Sequence, residues 1–246
     1  MIYLSFDQDW APEWATQDVV AAVVDSELEA TFFATHNCPS LDAMRNSGAF
    51  EIGWHPNFLP GSSHGASVEE VLSTLKGWVP EARGVRAHCL IQGTPHLMAY
   101  NSRGIRYEAS DLRDGQRDLE PFLSWTGVVQ LPTFFQDDVH LQRRLPLALE
   151  TVDLASPGLK IFSFHPVLLA LNTRDLSQYQ KLKTSLAEQG KALTDATRED
   201  FAPFTQDDGA GVRDVFEALL GVLGESPQRA GGTLDGLTRI FLAAHG

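Results

Sequence analysis

Short apolar runs alternate with amphipathic segments along the first two-thirds of the chain. The runs that predict β-strands are residues 1–6, 30–34, 50–54, 84–89, 106–109, 128–131 and 159–164. Between them, apolar residues recur near helical spacing, as at Val19, Val20, Val23 and Val24. Strand, helix and strand in repeated order predict parallel strands with helical crossovers. We therefore expect an α/β fold, with a distorted or incomplete (β/α) barrel favoured over an open sheet, since no glycine-rich nucleotide fingerprint is present.

The helices predicted from this pattern cover 13–28, 40–46, 95–101 and a segment that begins after Ser67. Ser67 and Glu70 form a capping-box pattern at the start of that segment. The polar region 172–208 is predicted to be helical and peripheral, and 212–223 and 234–244 to be helices that cover the outside. We find no internal repeat or linker, so residues 1–246 are expected to form a single domain.

Composition narrows the class of protein. The 246 residues, 43% of them apolar, suit one large domain with a sizeable core. The formal net charge of -13 disfavours nucleic acid as a partner, but leaves room for a small phosphorylated substrate held by local arginines. No apolar stretch is long enough to predict a membrane span. Two cysteines and an N-terminus without signal-peptide features predict a cytoplasmic protein.

Residues of the metal-ligand type stand where several predicted strands end. Asp7 and Asp9 follow the first strand, His55 follows the third, and His165 follows the last. In α/β barrels the loops at one rim build the active site. Because side chains alternate along a strand, Asp7 and Asp9 point the same way, and a cation between them would relieve their repulsion. Alternatively, one binds a metal and the other stays free as a base. The pattern favours a hydrolase with a bound divalent metal.

Four histidines are candidate ligands of such a metal site. His55 and His64 bracket a loop rich in Pro, Gly, Ser and Asn, and neutral imidazole suits zinc and similar metals. They are nine positions apart, so the loop must fold back for both to reach one ion. His36 and His88 also stand at predicted strand ends. Either could contact substrate or replace His64 on the metal.

Other polar and aromatic residues are candidates for supporting roles. Asp111, Asp137 and Asp138 lie at further rim positions, where a carboxylate could hydrogen-bond to Arg86 or His165 and fix its protonation. Trp10 could supply a stacking face for a sugar, as could other aromatic residues near the strand ends.

Five runs in chain order resemble the motifs of NodB-type polysaccharide deacetylases. They are Leu4–Trp10, Ala30–Phe33, Glu51–Asn57, Arg86–Cys89 and Phe162–Pro166. The chain is most similar to the WbmS-like branch, which is associated with surface-polysaccharide gene clusters. The resemblance covers about residues 1 to 175 and implies a distorted (β/α) barrel that removes acetyl groups from N-acetylated sugars.

The same resemblance implies roles for single residues. The predicted catalytic residues are the base Asp7, the acid His165 and Arg86, which orients the base. The predicted metal ligands are Asp9, His55 and His64, and the predicted substrate-binding residues are Trp10, His36, His88 and Asp138. The expected cofactor is a divalent metal, zinc first, with cobalt, nickel or manganese as alternatives. The expected partner is an acetamido sugar, without nucleic acid or a membrane span, and no oligomeric state is predicted.

Three departures from the family pattern keep alternatives open. Gln8 separates the usual Asp-Asp pair, so the roles of Asp7 and Asp9 could be exchanged. The His-to-His spacing is longer than usual, and Arg86 is followed by Ala-His-Cys instead of proline and an aromatic residue. The leading hypothesis is deacetylation of a cytoplasmic precursor of a surface polysaccharide. The alternatives are a non-catalytic carbohydrate-binding protein and a hydrolase of another C–N bond.

Overall fold

A curled, mostly parallel sheet forms the centre of the molecule. The computed structural model describes residues 1–206 and 209–245, so that Asp208 and Gly246, the ends of two predicted ranges, lie outside it. The strands in the described residues are β1 (Ile2–Asp7), β2 (Ala30–Ala34), β3 (Phe50–Trp54), β4 (Gly84–Val85), β5 (Tyr107–Glu108), β6 (Phe122–Leu123), β7 (Val129–Gln130), β8 (Phe135–Gln136) and β9 (Lys160–Phe164). They are ordered β6-β7-β5-β4-β3-β2-β1-β9-β8, and only the β6–β7 pair is antiparallel.

One chain segment, residues 128–136, connects the two ends of this sheet. Its first part, β7, pairs with β5, and its last part, β8, pairs with β9. Between the two, Thr133 forms a parallel bridge with Leu112. The sheet therefore curls back on itself, and the prediction of a distorted (β/α) barrel is confirmed.

Helices cover the outside of the curled sheet. They are α1 (Glu13–Asp25), α2 (Pro39–Ser47), α3 (Val68–Trp78), α4 (Thr94–Asn101), α5 (Asp137–Gln142), α6 (Pro166–Leu171), α7 (Leu176–Glu188), α8 (Arg198–Phe201), α9 (Val212–Glu225) and α10 (Leu234–His245). The capping box predicted at Ser67 and Glu70 is present at the start of α3. Within the described part of the chain, none of these helices has the length and hydropathy that a membrane crossing needs.

The predicted strand at 84–89 is shorter than the sequence indicates. β4 ends at Val85, and the chain then enters a 3₁₀ turn, His88–Leu90. Cys89 and Leu90 both have a φ near +55°, a left-handed conformation that ends a strand. β6 and β8, of two residues each, were not predicted.

Aromatic packing fixes the two central strands. The ring of Phe6 on β1 lies 6.4 Å from that of Phe164 on β9 and 5.6 Å from that of Phe216 on α9. All three rings are buried, and full burial of one such side chain stabilises the fold by about 1.5–3 kcal/mol. Because Asp7 and His165 directly follow Phe6 and Phe164, this packing also sets the positions of the candidate catalytic residues.

A half-buried carboxylate, Glu51, joins the start of α10 to the barrel. It accepts hydrogen bonds from the hydroxyls of Tyr107 (2.8 Å) and Thr31 (3.1 Å) and from the backbone N–H of Asp235 (2.7 Å). Burial, with a smaller effect of the nearby charge of Asp235, raises the pKa of Glu51 to about 7.

Replacing Glu51 with glutamine is expected to flatten the pH dependence of stability. The pKa of Glu51 is about 7 in the folded chain against an ordinary value of 4.5. Its contribution to the free energy of unfolding is therefore fully present below about pH 4.5 and is lost as the pH rises through 7. Over this pH range, the contribution of Glu51 to the free energy of unfolding falls by about 3 kcal/mol. Urea denaturation from pH 5 to 9 should show the Glu51→Gln variant gaining stability over the wild type as the pH rises. Parallel curves would contradict this expectation.

Candidate active site and metal centre

The end of β1 carries two carboxylates in an unusual backbone conformation. Asp7 is the last residue of the strand and is buried, whereas Asp9 and Trp10 have φ values of 43° and 55°. The left-handed region costs a non-glycine residue about 1–2 kcal/mol. Two such residues in succession need surrounding contacts that hold them in place.

Gln8 supplies those contacts. Its side-chain oxygen accepts hydrogen bonds from the backbone N–H groups of Thr35 (2.9 Å) and His36 (3.0 Å). The hydroxyl of Thr35 in turn accepts a hydrogen bond from the N–H of Trp10 at 3.0 Å. Gln8 is completely buried, so it ties the turn after β1 to the end of β2. Gln8, which separates Asp7 from Asp9 in the sequence, therefore fixes the turn that carries Asp9.

Asp9, His55 and His88 form a group of potential metal ligands. The Oδ1 atom of Asp9 lies 3.0 Å from Nε2 of His55 and 2.9 Å from Nδ1 of His88, and all three ligand atoms are within 4.8 Å of one another. The backbone N–H of His88 donates to the carbonyl of Pro56, the residue after His55, at 2.9 Å. The two imidazoles are thus held side by side by the backbone.

The chemistry of this group fits a divalent transition metal. One carboxylate oxygen and two imidazole nitrogens are a donor set typical of catalytic zinc sites, which keep a further position open. Burial would raise the pKa of Asp9, but hydrogen bonds to His55 and His88 outweigh it and hold the pKa well below its usual value. Asp9 is therefore ionised at neutral pH. The other ring nitrogen of His55, Nδ1, is buried and has no hydrogen-bond partner among the described residues; it lies 3.7 Å from Asp7.

The structure places His64 outside this group, although the sequence predicts it as a ligand. Its Nε2 donates to the carbonyl of Thr35 at 2.7 Å, and its Nδ1 accepts from the N–H of Asn57 at 3.1 Å. Both ring nitrogens are occupied, and the side chain is buried. His64 therefore fastens the 56–63 loop to the end of β2, and His88, the alternative ligand, stands next to Asp9.

His36 is likewise tied to the protein. Its ring nitrogens lie 3.4 Å from Nε2 of Gln8 and 3.2 Å from the hydroxyl of Thr35. Burial lowers the pKa of His36 to about 4, so the ring is neutral at physiological pH. These contacts tie His36 to the ends of β1 and β2, whereas the sequence offered it for substrate contact or metal ligation.

Asp7 is paired with Arg86 inside the barrel. The guanidinium donates to Oδ1 of Asp7 at 3.0 Å and to the hydroxyl of Ser163 at 2.9 Å, and that hydroxyl donates to Oδ2 of Asp7 at 3.2 Å. Burial would raise the pKa of Asp7, but the charge of Arg86, with smaller effects of His55 and His165, lowers it below its ordinary value. Asp7 is therefore an ionised, oriented carboxylate, while Asp9 faces the imidazoles.

His165 faces both aspartates and is held from behind by Asp137. Its Nε2 lies 3.6 Å from Asp9 and 4.0 Å from Asp7. Its Nδ1 lies 2.6 Å from Oδ1 of Asp137, whose Oδ2 accepts the backbone N–H of His165 at 2.8 Å. Burial would lower the pKa of His165, but Asp137 outweighs it and raises the pKa well above its usual value. His165 is therefore poised to hold a proton.

Two predicted substrate-binding residues lie beside this group. The Trp10 ring contacts the ring of His88 edge-on, with centroids 5.2 Å apart. Asp138 lines a cavity of about 340 Å³ together with Asp9 and His165. Both residues are thus placed where a substrate could reach them.

Some contributors to the site were missed in the sequence. Ser163 and Thr133 hydrogen-bond to Arg86 from inside the barrel. The signal for Ser163 was its place two residues before His165, which puts both on one face of β9. The signal for Tyr179 and Lys183, which also line the cavity, was absent, because they belong to α7 in the region predicted to be peripheral.

The chain is similar to a known protein family and to solved structures. The family model described as WbmS-like, polysaccharide deacetylase, matches residues 4–183. A solved structure from Bordetella bronchiseptica, provisionally assigned as a polysaccharide deacetylase involved in O-antigen biosynthesis, is 29% identical. Its TM-score is 0.79, and the match covers 90% of each chain.

A more distant solved structure shares the fold alone. It comes from Mycobacterium smegmatis and is provisionally assigned as a polysaccharide deacetylase. It is 14% identical, with a TM-score of 0.51, over 94% of this chain and 91% of that one. No curated protein matches the sequence.

Proposed function

Since the chain belongs to the WbmS-like family of polysaccharide deacetylases, we propose that it is a metal-dependent hydrolase that removes the acetyl group from an N-acetylated sugar. The proposal rests on one observation: three sets of side chains with different chemical roles lie together at one end of the barrel. They are the metal-ligand group that contains Asp9, the ionised carboxylate of Asp7, and His165, which is paired with a buried carboxylate. His165 lies close to Asp9 of the metal-ligand group. This grouping supplies the roles needed for metal-assisted hydrolysis of an amide.

Asp9, His55 and His88 would hold the divalent ion, with zinc as the first choice. When bound, such an ion supplies Lewis acidity toward the amide carbonyl and the attacking water. The 21% exposure of Asp9 and His88 leaves this group open to solvent and substrate on one side.

Asp7 would act as the general base. Because Arg86 keeps its pKa low, Asp7 carries no proton at neutral pH and can accept one from the attacking water. Arg86 and Ser163 hold both oxygens of Asp7, so the proton-accepting orientation is fixed before substrate binds.

His165 would act as the general acid. As the oxygen of water adds to the carbonyl carbon and the C–N bond breaks, Nε2 of His165 gives its proton to the departing amine. Amines are poor leaving groups without such protonation. The products are acetate and the free amino sugar, and the proton accepted by Asp7 balances the one that His165 gives up.

The substrate would be a cytoplasmic precursor of a surface polysaccharide. Supporting this part of the proposal is the 29% identical relative from Bordetella bronchiseptica, which is assigned to O-antigen biosynthesis. The cavity of about 340 Å³ beside His165 falls in the range of pockets that take small molecules, which suits a single sugar unit better than a long polymer.

Acetate release from a panel of sugars tests the proposed function. Purified protein loaded with zinc or cobalt should release acetate from at least one N-acetylated monosaccharide, free or nucleotide-linked, and the Asp7→Asn variant should lose about 100-fold or more in rate. Formylated sugars and cyclic amides belong in the panel as competing substrates. Sugar binding without turnover, by a protein shown to contain metal, would support the carbohydrate-binding alternative instead.

A further inference from the structure

The cavity beside the candidate active site has a second wall, which α7 provides. Asp9 and His165 line the catalytic side. On the other side are Leu176, Tyr179, Gln180 and Lys183. These four residues follow the spacing i, i+3, i+4 and i+7, so they form one continuous face of α7. A molecule in the cavity would therefore contact the catalytic residues and this helix face together.

The charges around the cavity are divided between its two walls. Asp9 and Asp138 place carboxylates on the catalytic side, whereas Lys183 is the only lysine or arginine among the described residues that line the cavity. The Lys183 ammonium lies 4.5 Å from the centroid of the Tyr179 ring. A cation over an aromatic face is held there by about 0.5–1 kcal/mol at an exposed site. Lys183 makes no ion pair with a carboxylate of the described residues, so its charge is available to a ligand.

We propose that the substrate carries an anionic group, a phosphoryl or a carboxylate, which Lys183 receives while the acetamido group reaches His165. This inference rests on the proposed function and adds the chemical class of its substrate. An anionic molecule approaching a chain with a net charge of -13 is repelled at long range. A local cation at the edge of the cavity offsets that repulsion and orients the bound molecule. Gln180 beside it offers an amide for the sugar itself.

Three matched substrates test this inference. They are an N-acetylhexosamine 1-phosphate, the corresponding N-acetylhexosaminuronic acid and the neutral methyl glycoside. The wild type should have a kcat/KM at least about tenfold higher for one of the anionic sugars than for the neutral one, a preference that weakens with added salt as charge screening requires. The preferred anion identifies phosphoryl or carboxylate recognition. Equal kcat/KM for all three would overturn the inference and leave deacetylation intact.

The Lys183→Met variant tests whether Lys183 causes the preference for anionic sugars, because methionine keeps an apolar chain against Tyr179 and removes the charge. Its kcat/KM should fall about tenfold for the preferred anionic sugar, mainly through KM, and less than threefold for the neutral glycoside. Lys181→Met, an exposed lysine of the same helix, is the matched control and should behave as the wild type. An equal loss on charged and neutral sugars in Lys183→Met would overturn the inference.

A binding measurement separates failure of this inference from failure of the proposed function. If zinc-loaded protein releases acetate from no sugar, the proposed function fails, and calorimetric titration with the anionic sugars then decides the role of Lys183. Binding that weakens about tenfold in Lys183→Met, but not in Lys181→Met, supports the anion site. Binding that is unchanged in both variants overturns it.

Discussion

Replacing His88 with alanine is expected to abolish stoichiometric zinc binding and, with it, hydrolysis. His88 contributes the nitrogen 2.9 Å from Asp9, and its removal leaves Asp9 and His55 as a two-residue site. Loss of a residue that only supports a ligand already costs about 10–100-fold in metal affinity. We therefore expect a loss of at least about 100-fold for His88→Ala. Metal content after dialysis, and competition with a chelating dye, measure it.

The matched control for His88→Ala is His64→Gln. The ring nitrogens of His64 bind the backbone of Thr35 and Asn57, so this variant should retain zinc. It should lose stability instead, by about 1–3 kcal/mol, because buried backbone groups lose a partner. Zinc retained by His88→Ala and lost by His64→Gln would contradict the ligand assignment and restore the ligand set predicted from the sequence.

The contrast between these two histidines shows where sequence patterns stop being informative. β1, β2, β3 and β9 were predicted to within a residue of their observed ends, because each is a run of apolar residues that is long enough to recognise. Asp7 is the last residue of β1, whereas Asp9, His55 and His165 follow β1, β3 and β9. The structure brings all four to one rim. His88 instead follows a two-residue strand and enters a turn with left-handed Cys89 and Leu90, which no periodicity predicts.

The position of the α7 face beside the cavity could not be predicted from the sequence, for a different reason. Its spacing predicts a helix with one buried face, but an amphipathic pattern does not tell which surface that face covers. The face that carries Tyr179 and Lys183 lines the cavity at the catalytic rim. The segment 128–136 presents the same difficulty, since its strands pair with opposite ends of the sheet through contacts distant in sequence.

Replacing Asp137 with asparagine is expected to lower kcat about 100-fold or more while leaving metal content unchanged. Both oxygens of Asp137 are used, one by Nδ1 of His165 and the other by its backbone N–H. Asparagine offers a single acceptor, so either the ring or the backbone of His165 loses its partner. General acid catalysis is worth about 10²–10⁴ in rate, which sets the scale of the loss. Asp111→Asn, a rim carboxylate paired with Arg113, is the matched control and should retain activity.

The pH profile of Asp137→Asn distinguishes a catalytic effect from a structural one. Asp137 raises the pKa of His165, so removing its charge lowers that pKa. The general acid must be protonated, and activity is lost as the pH rises through its pKa. The alkaline limb of kcat/KM should therefore move to lower pH in the variant. A merely structural defect would lower the whole pH profile without moving that limb. Such a result would contradict the prediction that Asp137 sets the pKa of His165 as the general acid.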